Sequence, residues 1–241
     1  MFAADEFRKL VEESANVFKE AINTHVEKRV PAELIERLEN DVYLFSGFKT
    51  YAELKEISLM LRDENGDLIS YDKFEQKVLE IHETYNVHYL KTEYRFAVGS
   101  ALMAARWADF VKDGDSYPLQ YRTAGDARVR DTHRPLDGIT LPLSDKFWQY
   151  FWPPIGWGCR CTVVQVVKGK YPDSDPEEAY ELGLAATEGP AEIFRYNPGI
   201  HGRIFPAKHG YNSLACVDCA DGSKAGADEM CAWCAVIRST M

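Results

Sequence analysis

The chain has no stretch of roughly 18 apolar residues, the least that lets a helix span a bilayer, so a membrane-spanning role is not expected. Its amino terminus, MFAADEFRKLVEESANVFKE, lacks the basic region and apolar run of a secretory signal, which points to a reducing compartment. An excess of positive charge is lacking as well: 28 Lys and Arg stand against 38 Asp and Glu, a net charge of −10. Binding that rests on neutralising phosphates is therefore not expected to dominate. One local cluster of arginines, Arg122, Arg128, Arg130 and Arg134, has Asp126, Asp131 and Asp137 nearby in sequence as partners. There is no GxxxxGK[ST] phosphate loop, which excludes a P-loop ATPase on motif grounds. Internal repeats and low-complexity runs are absent too.

What is present is 241 residues with 46% hydrophobic and 27% charged side chains, enough to bury a core in one large domain or a domain with an appendage. In residues 5–29, Phe7, Leu10, Val11, Phe18, Ala21 and Ile22 recur at three- and four-residue steps, the spacing that lines one helical face. Pro31 punctuates that helix, and Leu34, Ile35 and Leu38 predict a second, short one. A third is expected over Tyr51–Leu61, closed by the turn-rich DENGD at 63–67. A fourth is expected from Tyr71 to Thr84, with Phe74, Val78, Leu79 and Ile81 inward, and a long one over Val87–Val111.

The character changes after Pro118. Ile139–Leu141 and Thr162–Val167 read as short strands, and residues 173–188 as a polar loop and a helix. The aromatic cluster Phe147, Trp148, Tyr150, Phe151, Trp152 and Trp157 reads as core and loop packing. Beyond Gly189 the chain is expected to be mostly irregular. The fold class is thus α+β, divided into a helical region (1–117), a small region with short strands (118–190) and an irregular tail (191–241).

The six cysteines form three close pairs: Cys159 and Cys161, Cys216 and Cys219, Cys231 and Cys234. Close pairs in a reducing compartment read as metal ligands before disulfides. Cys216-Val-Asp-Cys219 and Cys231-Ala-Trp-Cys234 are two CxxC turns, each presenting two thiolates from one side. Together they can close a tetrahedron around a structural zinc, whose binding would supply folding free energy to a short tail. His133, Cys159 and Cys161 offer a second set. CxC is the weaker spacing, because an extended backbone sets the two β-carbons far apart and a turn or bulge must tighten them. A fourth donor could come from Asp126, Asp131, His201 or His209. The bland alternative is that both cysteines are small buried hydrophobes and His133 bonds the following turn.

The segment YRTAGDARVRDTHRPLDG (121–138), followed by DKFW (145–148) and WPPIGWGCRCTV (152–163), resembles the signature of the phage Mu F-like minor head proteins. Its elements are an aromatic lead-in, RVR with a histidine three residues on, LDG, a PP-x-G-W loop, and CRC entering a strand. Upstream, Tyr85-Asn86, Tyr89-Leu90 and Thr92-Glu93-Tyr94 resemble that family's helical lead-in, so the likeness covers about residues 45–168. It implies a low-copy head-morphogenesis protein of a tailed phage or prophage, present in the virion and, during assembly, in the host cytoplasm. Its partners would be the portal or other head proteins, with at most weak contact to packaged DNA and none to a membrane. Similar domains also front bacterial toxins, but the stretch after Lys168 is expected to be too short for an effector domain. The competing reading is a zinc-dependent hydrolase or nuclease centred on His133, which needs an open zinc position and a nearby base. Zinc deaminase chemistry is not supported, since HxE and PCxxC are replaced by His133-Arg134-Pro135 and Cys159-Arg160-Cys161.

Overall fold

The computed structural model describes residues 4–26 and 30–211. Within them the protein is α+β: seven helices, several 3₁₀ turns and one small antiparallel sheet. The helices are α1 (Ala4–Val26), α2 (Ala32–Leu59), α3 (Tyr71–Glu83), α4 (Leu90–Asp113), α5 (Phe147–Tyr150), α6 (Pro176–Ala186) and α7 (Pro198–His201). No helix among the described residues is long and apolar enough to cross a membrane. The described residues divide into two compact units, one comprising residues 4–19, 42–94 and 207–211, the other 20–26, 30–41 and 95–206.

The spacing in α1 is borne out, since Phe7, Val11, Phe18, Ala21 and Ile22 are all buried, although Leu10 stays partly in solvent. The short helix at Leu34–Leu38 and the helix at Tyr51–Leu61 are, by contrast, one continuous element, α2. Nothing between them forces a break: residues 40–50 hold no proline, and Val42, Tyr43, Phe45 and Ala52 are buried along the joined helix. The DENGD segment forms the expected turn. The carboxylate of Asp63 accepts the amides of Asn65 and Asp67, and Gly66 takes the left-handed conformation at φ 85°. In α3, Ile81 is inward as expected, but Leu79 is not, with 62% of its surface exposed.

Between α3 and α4 the chain runs through a π-helical segment, Thr84–Tyr89. The wider turn buries Tyr85, whose hydroxyl donates to Glu56, and lets Asn86 donate to Glu53. In the same unit, Lys49 and Glu93 form a buried ion pair, and the Tyr211 hydroxyl donates to the other oxygen of Glu93.

The second unit contains the sheet, with strand order β2-β1-β3 and every pairing antiparallel. The strands are β1 (Leu119–Arg122), β2 (Thr140–Leu141) and β3 (Thr162–Gln165). The expected strand at 139–141 is present as β2 and that at 162–167 as the shorter β3, while the central strand β1 was not anticipated. Leu119 pairs with Leu141 and Gln165, and Tyr121 with Val163. Strand alternation sends Leu119 and Tyr121 to one face, where they join Phe147, Trp148, Phe151 and Trp152 in one core cluster. Those four aromatics are fully buried, as expected, but Tyr150 is 42% exposed. Their polar handles are satisfied: the Trp152 indole donates to the Met103 carbonyl and that of Trp148 to Pro142. Asp175 caps α6 by accepting the amides of Glu177 and Glu178. Asn197 caps α7 while its amide donates to the Trp148 carbonyl.

Candidate metal centre

Two tight turns deliver the candidate ligands. The first closes on His133, whose amide donates to the Arg130 carbonyl just before the 3₁₀ turn Arg134–Leu136. The second is at Gly156–Cys159, where the Cys159 amide donates to the Gly156 carbonyl and Gly158 sits at φ 70°. Cys161 follows immediately before β3. The turn at this loop lies ahead of Cys159, and none intervenes between the two cysteines.

The Nδ1 atom of His133 stands 3.8 Å from Sγ of Cys159 and 3.8 Å from Sγ of Cys161. All three donor atoms lie within 4.8 Å of one another, although the histidine is 26 and 28 residues away in sequence. His133 is buried, and both cysteines are half-buried and free of disulfides. The Cys159 thiol is held well below the ordinary range, first by a hydrogen bond from Cys161 and then, against burial, by His133. Cys161 is pushed the other way by its bond to Cys159 and by burial. Behind them lies the fully buried hydroxyl of Tyr121, kept protonated chiefly by burial, with the Cys161 thiol as its weak polar neighbour.

The cavity at the cluster measures only about 20 Å³ and is lined by Ala124, Arg128, Val129 and Arg130 together with residues 158–161. Arg160 grips both carboxylate oxygens of Asp126 at 2.7 Å, which holds that carboxyl far below its usual range. Arg128 approaches Asp126 as well, at 3.6 Å, and Arg134 pairs with Asp131 at 3.1 Å. Asp137 takes no arginine and instead accepts the amide and hydroxyl of Thr123. Arg122 lies over the Tyr171 ring, and Arg130 donates to the Trp157 carbonyl. The arginine patch is therefore largely spent on local contacts.

None of the four anticipated fourth donors joins the cluster. Asp126 is occupied by Arg160, and the Asp131 side chain is 98% exposed beside Arg134. His201 bonds the Asn197 carbonyl in α7. His209 packs on Phe45, Phe48 and Tyr211, and burial lowers it to about 3, so it is neutral at physiological pH. The tetrad Cys216, Cys219, Cys231 and Cys234 lies outside the described residues. Arg130 and His133 also border a groove of about 790 Å³ lined mainly by Ile155, Trp157, Pro190, Ile193 and Phe194, with Glu188 as its one carboxylate.

Comparison with known proteins agrees with this segment. Residues 64–164 match the family model described as Phage Mu protein F like protein. Protein F of Escherichia phage Mu, which carries the name of a capsid assembly protein, is 31% identical over 115 residues, covering 44% of this chain and 26% of that protein. The Mu-like prophage FluMu F protein of Haemophilus influenzae is 37% identical over 75 residues, covering 31% of this chain and 18% of that protein. The chain thus spans about a quarter or less of the length of these curated relatives. No solved structure matches it. The segment that holds both turns of the site, with its aromatic core and its CRC entry into β3, is thus similar to the phage Mu protein F-like family.

Proposed function

We propose that this protein is a minor head protein of a tailed phage or prophage, acting in prohead assembly alongside the portal or other head proteins. The observation that carries this reading is the family match over residues 64–164, together with a relative whose name assigns it to capsid assembly. The site's geometry supports it. The turn at His133 and the loop at 156–161 close on one another around three donors, which braces the edge of the sheet and leaves a cavity of only about 20 Å³ at the donors themselves.

The competing reading is a zinc hydrolase, because catalytic zinc also keeps three protein donors and one water. Access and a base separate the two. The cavity at the three donors, about 20 Å³, holds about one water, and the wider groove that His133 also borders is lined mainly by apolar side chains with Glu188 as its one carboxylate. Asp126, the carboxylate that pairs with Arg160 of the CRC loop, is bound on both oxygens and is a poor proton acceptor.

The experiment is to purify proheads made with and without the gene, measure their composition, and cross-link them. The protein is expected at low copy in proheads, with cross-links to the portal or another head component, and its loss is expected to give defective heads. Absence from particles, combined with phosphodiester turnover that vanishes in His133→Ala, would favour the hydrolase.

A further inference from the structure

We infer that His133, Cys159 and Cys161 hold one zinc ion through three protein donors, with a single water as the fourth ligand. The inference goes beyond the assembly role and does not depend on it. Zinc bonds of about 2.0 Å to nitrogen and 2.3 Å to sulfur, opened at the tetrahedral angle, separate the two donors by about 3.5 Å. Both sulfur-to-nitrogen distances here are 3.8 Å and all three donors lie within 4.8 Å of one another, so a small inward movement of the side chains places them on one ion.

As plain hydrogen bonds, those same distances are long and hold two loops together weakly. The donor chemistry is also selective. Two thiolates and an imidazole on a tetrahedral centre suit zinc better than magnesium, calcium or manganese, which prefer oxygen. Two thiolates balance the charge of the ion, so no further protein anion is required. The adjoining cavity of about 20 Å³ exceeds the roughly 10–15 Å³ that one water needs, and no fourth His, Cys, Asp or Glu reaches the cluster among the described residues. The buried Tyr121 hydroxyl supplies the outer-sphere hydrogen bond that a zinc-bound thiolate at Cys161 accepts.

The test must separate this centre from the four distal cysteines. In the 241-residue chain with Cys216, Cys219, Cys231 and Cys234 all changed to serine, elemental analysis is expected to find one equivalent of zinc. That equivalent is expected to be lost on adding Cys159→Ser or His133→Ala. X-ray absorption on the four-serine protein is expected to show two sulfur and two nitrogen or oxygen neighbours. Cobalt in place of zinc is expected to give thiolate charge-transfer bands. A four-serine protein that is folded by circular dichroism yet binds neither metal overturns the inference, and so does a first shell with fewer than two sulfurs. If that variant does not fold, thiol alkylation mapped by mass spectrometry on the unaltered chain decides the matter. Cys159 and Cys161 should resist alkylation until a chelator removes the metal, and equal labelling with and without chelator overturns the inference.

Discussion

The ring of Phe151 lies so close to Gly183 in α6 that a β-carbon on the glycine would meet ring carbons at 2.4 Å. Gly183 is buried within the helix, and its lack of a side chain is what lets α6 pack on the aromatic core beside Tyr180. Gly183→Ala would ordinarily favour a helix interior by up to about 1 kcal/mol. Here the clash reverses the sign, because a fully buried ring in a close-packed core has nowhere to retreat. The variant is expected to lose about 1–3 kcal/mol, read as a lower midpoint in chemical denaturation. An unchanged midpoint would show that this contact relaxes freely.

Lys49 and Glu93 pair with 2% and 5% of their side chains exposed, and Glu93 also accepts from Tyr211. Lys49→Met strands a carboxylate among apolar neighbours, with an expected cost of about 3–5 kcal/mol. Lys49→Met combined with Glu93→Leu removes both charges and should recover most of that loss. Denaturant titrations of the two singles and the double form the cycle. Additive losses would mean that the two charges do not depend on each other.

How far these features were legible beforehand differs between elements. The face of α1 follows from apolar spacing alone, because one stripe is buried and the other is wet. The continuity of α2 was hidden because its central residues carry no sharp period, being buried on several sides. Strand β1 was missed because LQYR is four residues long with a polar residue at every second place, and only pairing with β2 and β3 makes it the middle of a sheet. At the site, residue types were enough to single out His133, Cys159 and Cys161, whose side chains the fold brings together. The partner of Asp126 was not legible, since Arg160 is 34 residues distant and only the closed loop joins them.

Asp41 accepts the amides of Ile204 and Phe205 on one oxygen, at 2.8 and 2.9 Å. Burial nevertheless raises its carboxyl to about 6, outweighing those bonds and the charge of Arg203. For an acid raised in the folded state, stability is greatest below its ordinary value near 3.8 and falls as pH rises through 6. Asp41 keeps some solvent contact, so the contribution across that window is expected to be on the order of 1–2 kcal/mol. Asp41→Asn retains an oxygen that can accept both amides and carries no charge. The difference in stability between it and the parent should therefore grow between pH 4 and 7 in favour of the variant. A difference independent of pH would rule out Asp41 as the titrating group.

Tyr121→Phe gives opposite outcomes with and without metal, which makes it the most discriminating substitution at the site. Without metal, the Tyr121 hydroxyl is fully buried with only the Cys161 thiol, a weak partner, beside it, and an ill-satisfied buried group costs up to about 1–3 kcal/mol. Removing it should leave the metal-free protein as stable as before or more so, because the ring stays in place against Phe147. With zinc bound, the same hydroxyl would donate to the Cys161 thiolate, and losing such an outer-sphere bond typically weakens metal binding about 10–100-fold. Chelator competition should then show weaker zinc binding while the metal-free melting temperature does not fall. If both quantities fall together, Tyr121 acts through packing alone; if neither changes, its hydroxyl does not reach the thiolate.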